Sequence, residues 1–232
     1  MIQFKAIRRS PEHHKTIPRI PFPPLMAKRH KNVELVMDFF FVNGSPFLHI
    51  KSRKMYFRSV QAYNNRGKSE TILGLKQVNT KYKDRCFTIT YYHCDNEFEH
   101  LSNFLVPAHL NTCAVNEHIG DIKISIRTIK EQMRCGCHSI PYNKFKKLMT
   151  ISLVQYIITC LNMFPSKNGI SSDLSPAAIV LGYLNTDYNK LNFSFGAYAQ
   201  VYIDTTNSIK QRMVGAVALR PANESSGISL CY

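Results

Sequence analysis

Val33–Val42 reads VELVMDFFFV, a run in which only Glu34 and Asp38 are not apolar. A near-continuous apolar stretch rich in Val and Phe marks a central strand covered on both faces. Asp38, in its middle, is therefore out of place. After the run, Asn43-Gly44-Ser45-Pro46 is strong turn chemistry, and Phe47–Ile50 and Met55–Val60 read as the next strands of an antiparallel meander.

Further along, Ser69 is an N-cap candidate with Glu70 in the first turn. Ile72, Leu75, Gln77, Val78 and Tyr82 carry a helical stripe ending near Asp84. A fourth strand, Cys86–His93, runs into Cys94-Asp95-Asn96-Glu97-Phe98-Glu99, which puts a carboxylate at a strand mouth, where catalytic groups gather in open α/β sheets. Thr112–Val115 reads as a short fifth strand and about His118–Cys135 as a helix. A long apolar helix follows, then a linker over Gly169–Pro176, then short strands at Tyr198–Ile203 and Val214–Leu219.

The chain has 232 residues and is 44% hydrophobic, enough for one globular core with a small satellite. Its 30 Lys+Arg against 15 Asp+Glu give +15, which favours a polyanionic partner. Within 1–32, Lys5, Arg8, Arg9, Lys15, Arg19, Lys28, Arg29 and Lys31 face only Glu12, and Pro11, Pro18, Pro21, Pro23 and Pro24 predict a largely irregular basic arm. Arg8-Arg9 and Lys28-Arg29 are short clusters suited to phosphate contact or nuclear import. The arm has no apolar core of a secretory signal. Leu148–Pro165 is uncharged for eighteen residues, but its Thr150, Ser152, Gln155, Thr159 and Asn162 read as a buried helix rather than a membrane span. The seven cysteines read as free thiols of a reducing compartment, and Cys135, Cys137 and His138 lack the second pair a zinc site needs.

The order strand-strand-strand-helix-strand-helix-strand-helix, with one Asp inside the first strand and another after the fourth, is that of ribonuclease H-like nucleotidyl transferases. Particular stretches resemble the integrase core of copia-type retrotransposon polyproteins. They are Val36–Gly44 (VMDFFFVNG), His93–Glu99 (HCDNEFE), and Glu117-His118-Ile119 leading to Ile126–Glu131 (IRTIKE). Pro165–Gly169, Leu174-Ser175-Pro176, Phe195-Gly196 and Gly215–Pro221 add to the likeness, which spans roughly residues 20 to 230. It implies an α/β, ribonuclease H-like mixed five-stranded sheet flanked by helices, with a small mostly-β C-terminal extension. The expected division is a basic arm over 1–32, an integrase catalytic core over 33–166 and the extension over 167–232.

The activity implied by the resemblance is DNA 3′-end processing and strand transfer, the DNA recombination step of integration. Two Asp and a Glu hold two magnesium or manganese ions that activate a nucleophile and stabilise the leaving oxygen. Asp38 and Asp95 would be the first two ligands. The plain alternatives are a water-facing strand residue for Asp38 and a helix N-cap for Asp95. At the third place the sequence departs from the family, because aligning on Ile126-Arg127-Thr128 puts Lys123 where the Glu belongs. An ammonium cannot ligate a metal. Asp121 is the one substitute to weigh. On a helix whose core stripe is Ile119, Ile122, Ile126, Ile129 and Met133, it lies beyond the border opposite Lys123, Arg127 and Lys130. Swapping them would take about 200° of rotation. Glu117 lies still nearer the loop. The same wheel makes Lys123, Arg127 and Lys130 a basic ridge for DNA phosphates, with a solvated helix face as the bland alternative.

The expectation is an integrase core impaired in catalysis, or a non-catalytic, basic nucleic-acid-binding protein, domesticated or a relic, that kept the fold. A ribonuclease H-type nuclease is a weaker third, since nothing here reads the RNA 2′-hydroxyl. DNA is the expected partner, with homo-oligomers implied by the resemblance. The expected location is the nucleus or a cytoplasmic particle, neither secreted nor in a membrane. With no cysteine in 1–32, the family's N-terminal zinc module has no counterpart there, and the chain looks like a piece of a polyprotein.

Overall fold

A computed structural model describes residues 20–113, 120–141, 145–182, 194–202, 212–221 and 228–231. Strand β1 (Asn32–Val42) is the expected apolar run. Asn43 and Gly44 both take positive φ, 47° and 75°, the two-residue turn whose twist matches the strands beside it. Strand β2 (Ser45–Ser52) therefore folds straight back on β1, from Val42↔Ser45 to Leu35↔Ser52. Strand β3 is Arg58–Ala62, later than the expected Met55–Val60. Tyr56 has φ 59°, which breaks the extended chain, and Met55 and Phe57 are buried in the connection instead.

Helix α2 (Lys68–Lys83) crosses over to β4 (Thr88–Asp95), which runs parallel to β1. Gly67 caps α2 without a side-chain bond, so Ser69 lies inside the helix rather than at its cap. The fourth strand was expected at Cys86–His93, but Cys86 turns the chain with φ 62° and the strand starts later. Asp95 consequently ends β4 instead of following it. A 3-10 turn (Asn96–Leu101) and the short α3 (Ser102–Leu105) lead to β5 (His109–Cys113), parallel to β4. Expected at Thr112–Val115, β5 begins earlier; residues 114 and 115 lie outside the described residues.

The sheet order is β3-β2-β1-β4-β5, mixed and five-stranded, the ribonuclease H-like arrangement. Val33, Leu35 and Met37 of β1 pack on one face with Leu75, Val78 and Tyr82 of α2 and with Phe98 and Leu101. Val36 and Phe40 point to the other face, under α4 (Gly120–His138) and α5 (Lys147–Met163). No helix among the described residues is long and apolar enough to cross a membrane.

Two helices were not foreseen. Pro24–Arg29 forms α1, which corrects the expectation of an irregular arm for this part of 1–32; Pro24 occupies the first helical position, where its missing N–H costs nothing. Pro176–Leu181 forms α6, with the Ser175 hydroxyl accepting from the Ala178 N–H and Gly182 closing the helix at φ 74°. Ile179 and Val180 of α6 join the first core, while Phe195 and Leu219 join the second. The C-terminal strands β6 (Tyr198–Tyr202), β7 (Met213–Pro221) and β8 (Ile228–Cys231) make a separate antiparallel sheet.

One buried polar chain ties α4 to the sheet. His49 is fully buried in β2, and its Nδ1–H donates to the Ser59 carbonyl at 3.0 Å. Its Nε2 must then accept, and the Ser125 hydroxyl of α4 donates to it at 2.9 Å. Arg58 Nε in turn donates to the Ser125 oxygen at 3.3 Å. Burial holds His49 neutral, with its pKa pushed down to about 3. Ser125→Ala strands the imidazole acceptor and should cost about 1–3 kcal/mol in urea unfolding. Because the unfolded His49 titrates near 6.5 and the folded one near 3, stability is complete above pH 6.5. It should then fall as the pH drops between those values, by up to about 1.4 kcal/mol per pH unit from this group. Unfolding of His49→Gln across that range should show a shallower loss.

Candidate functional site

In the parallel register of β1 and β4, Val36 pairs with His93. Two residues further along both strands, Asp38 and Asp95 stand side by side on the face that carries α4. The strands impose this pairing, since side chains alternate and parallel neighbours lie about 4.8 Å apart. Asp38 sits between Val36 and Phe40, and its pKa is raised to about 6, first by burial, then by the charge of Asp95 and more weakly by that of Glu97. A hydrogen bond from the Phe39 backbone and the charge of Lys123 work in the opposite direction. Asp95 begins the following 3-10 turn, yet its side chain makes no capping bond there.

Glu97 was not singled out from the sequence. It pairs with Arg66 at 3.2 Å while still acting on Asp38, and Arg66 lies over the ring of Phe41. Only the fold, by turning the chain after β4, brings this carboxylate towards β1.

Helix α4 buries Ile122, Ser125, Ile126, Ile129 and Met133. At about 100° per residue, Lys123, Arg127, Lys130 and Arg134 then share one border of that face. Together with Asp38, Phe39, Phe40, Phe41 and Ile126 they line an open groove of about 400 Å³. Arg134 extends the ridge by one turn beyond the residues noticed in the sequence; its signal was the i, i+4 spacing from Lys130. Asp121 lies on the opposite border, where Arg53 donates to its carboxylate at 3.1 Å and to Glu34 at 3.2 Å. Glu34 is four residues, about 13 Å of strand, from Asp38. Asp121 therefore does not join the acid pair.

The basic clusters are placed apart from this groove. Lys28 and Arg29 end α1, and β1 then runs about 20 Å from Asn32 to Asp38. Arg8, Arg9 and Glu117 lie outside the described residues. Among the described residues no group of three His, Cys, Asp or Glu side chains is placed to hold a metal ion. The donor set Asp38 and Asp95 suits one hard divalent cation that keeps several waters. It suits two less well, because Glu97 is paired with Arg66 and the Lys123 ammonium acts on Asp38.

Fold and groove define a ribonuclease H-like α/β domain with two carboxylates on adjacent parallel strands and a cationic helix border beside them. The sequence matches no family model and no curated protein. Among solved structures, the chain is similar to the catalytic core domain of BIV integrase, at 15% identity and a TM-score of 0.45, over 64% of this chain and 93% of that one.

At neutral pH, above its raised pKa of about 6, Asp38 is ionised in a half-buried place beside Asp95 and Glu97, which destabilises the fold. Asp38→Asn should raise the thermal midpoint of metal-free protein by about 2–4 °C, read by calorimetry at neutral pH.

Proposed function

We propose that this chain is an integrase-derived nucleic-acid-binding domain, of copia-type retrotransposon descent, which grips DNA through the α4 ridge and is impaired in strand transfer. The observation that carries this reading is Lys123. It lines the same groove as Asp38 and acts on it with positive charge, and the resemblance to the integrase core assigns the third carboxylate to this position.

Magnesium or manganese, when bound by Asp38 and Asp95, would supply charge stabilisation at a phosphate oxygen. The residues of the chain do the rest of the work. Arg127, Lys130 and Arg134 hold backbone phosphates along the groove and carry no sequence information. Lys123 offsets only part of the unfavourable setting of Asp38, and its ammonium favours holding a phosphate over transferring it. Nuclear action on DNA follows from this reading, as does assembly into homo-oligomers, because related integrases act as multimers. A second reading, a working integrase, is favoured by the survival of both Asp38 and Asp95 at adjacent strand positions.

The deciding assay is nicking and strand transfer on a short DNA duplex with magnesium or manganese. Activity only in Lys123→Glu supports the acid pair, the groove and the impairment together. Activity in the unmodified chain, abolished by Asp121→Asn, would overturn the reading. For binding, Arg127→Glu or Lys130→Glu should weaken affinity for any duplex sequence. Each should also flatten the slope of log affinity against log salt, by about 0.9 for every phosphate that is no longer neutralised.

A further inference from the structure

Beside the acid pair, on the same face of the sheet, β4 and β5 carry a row of rings that the groove does not use. Tyr91, His93 and Asp95 alternate with the core residues Tyr92 and Cys94, and Tyr91 pairs with His109 and His93 with Asn111. Helix α4 lies over β1 and β2 and helix α5 over β3. Tyr91 keeps 43% of its surface exposed, and His109 and Asn111 are exposed too.

The rings are aligned. Tyr91 and His93 stack with centroids 6.0 Å apart and planes 22° apart, and Tyr91 and His109 lie 5.4 Å and 32° apart. His93 is fixed in place, since its Nε2–H donates to Glu34 at 3.3 Å and its Nδ1 accepts from the Asn111 amide at 3.2 Å. A carboxylate can only accept, so the first bond sets the direction of the second. The outcome is an amphipathic shelf of fixed rings, Tyr91 stacked on His93 and tilted to His109, with polar groups at its edge. Its outer end, Tyr91, lies four residues or about 13 Å along the strand from Asp95.

From this arrangement we propose that the Tyr91–His109 shelf stacks an unpaired base of a DNA end whose phosphates lie along α4. The inference rests on the DNA reading above and adds to it the form of DNA. Charge complementarity selects the occupant: the chain carries +15, and the cationic ridge of α4 lines the groove at Asp38 of β1, the strand next to the shelf's β4. Base stacking on aromatic side chains needs only a π-face and tolerates every sequence, which suits a surface with no base-reading pocket.

Binding of a short duplex with a single-stranded thymidine tail, compared with its blunt form, tests this by fluorescence anisotropy. Tyr91→Ala should weaken the tailed duplex about tenfold and leave the blunt one unchanged, whereas Tyr91→Phe keeps both. The chain has no tryptophan, so Tyr91→Trp provides a single reporter on the shelf. Its emission should be quenched by the tailed duplex and not by the blunt one. If Tyr91→Ala binds the tailed duplex like the parent while Lys130→Glu weakens both, the shelf is overturned and the DNA reading stands. If the parent binds neither duplex, both fall.

Discussion

The hydroxyl of Ser125, donated to the buried imidazole of His49, sets the roll of α4 about its own axis, and the chemistry of the groove depends on that roll. With Ser125 turned to β2, the helix presents Lys123, Arg127, Lys130 and Arg134 to the Asp38 side. Asp121 turns to the other side, where Arg53 holds it. A rotation large enough to exchange Lys123 and Asp121 would break the Ser125 bond, leave a buried acceptor unpaired and turn Ile122, Ile126 and Ile129 towards water. Both costs oppose the exchange, and the loss of the exposed Asp121–Arg53 ion pair adds only a little to them.

The acids are held by a different constraint. Parallel pairing of β1 with β4 makes Asp38 and Asp95 neighbours whether or not that is favourable, and burial between Val36 and Phe40 makes it unfavourable for Asp38. Lys123 relieves part of this repulsion.

Much of this was legible in the sequence because it depends on local pattern. The alternation within VELVMDFFFV, the Asn43-Gly44 turn and the isoleucine spacing of α4 are short-range signals, and they fixed the sheet centre, the hairpin and the helix wheel. What was missed depends on distant partners or on single backbone angles. Cys86 and Tyr56 leave the extended region for positive φ with no turn residue to announce it, so the starts of β4 and β3 were misplaced. Helix α6 had a Ser-Pro start and a Gly182 stop, but six residues give too little periodicity to register. Glu97 joins the acids, and Arg53 takes Asp121, only through contacts made across the sheet. The ring shelf escaped notice because Tyr91, His93 and His109 come from two strands.

The central claim is that Lys123, and not Asp121, faces Asp38 and Asp95 from α4. Crystals soaked in manganese and measured for anomalous scattering test it most directly. The account predicts a single ion between Asp38 and Asp95, with Asp121 still bonded to Arg53. Two ions, with Asp121 swung off Arg53 to ligate the second, would contradict it.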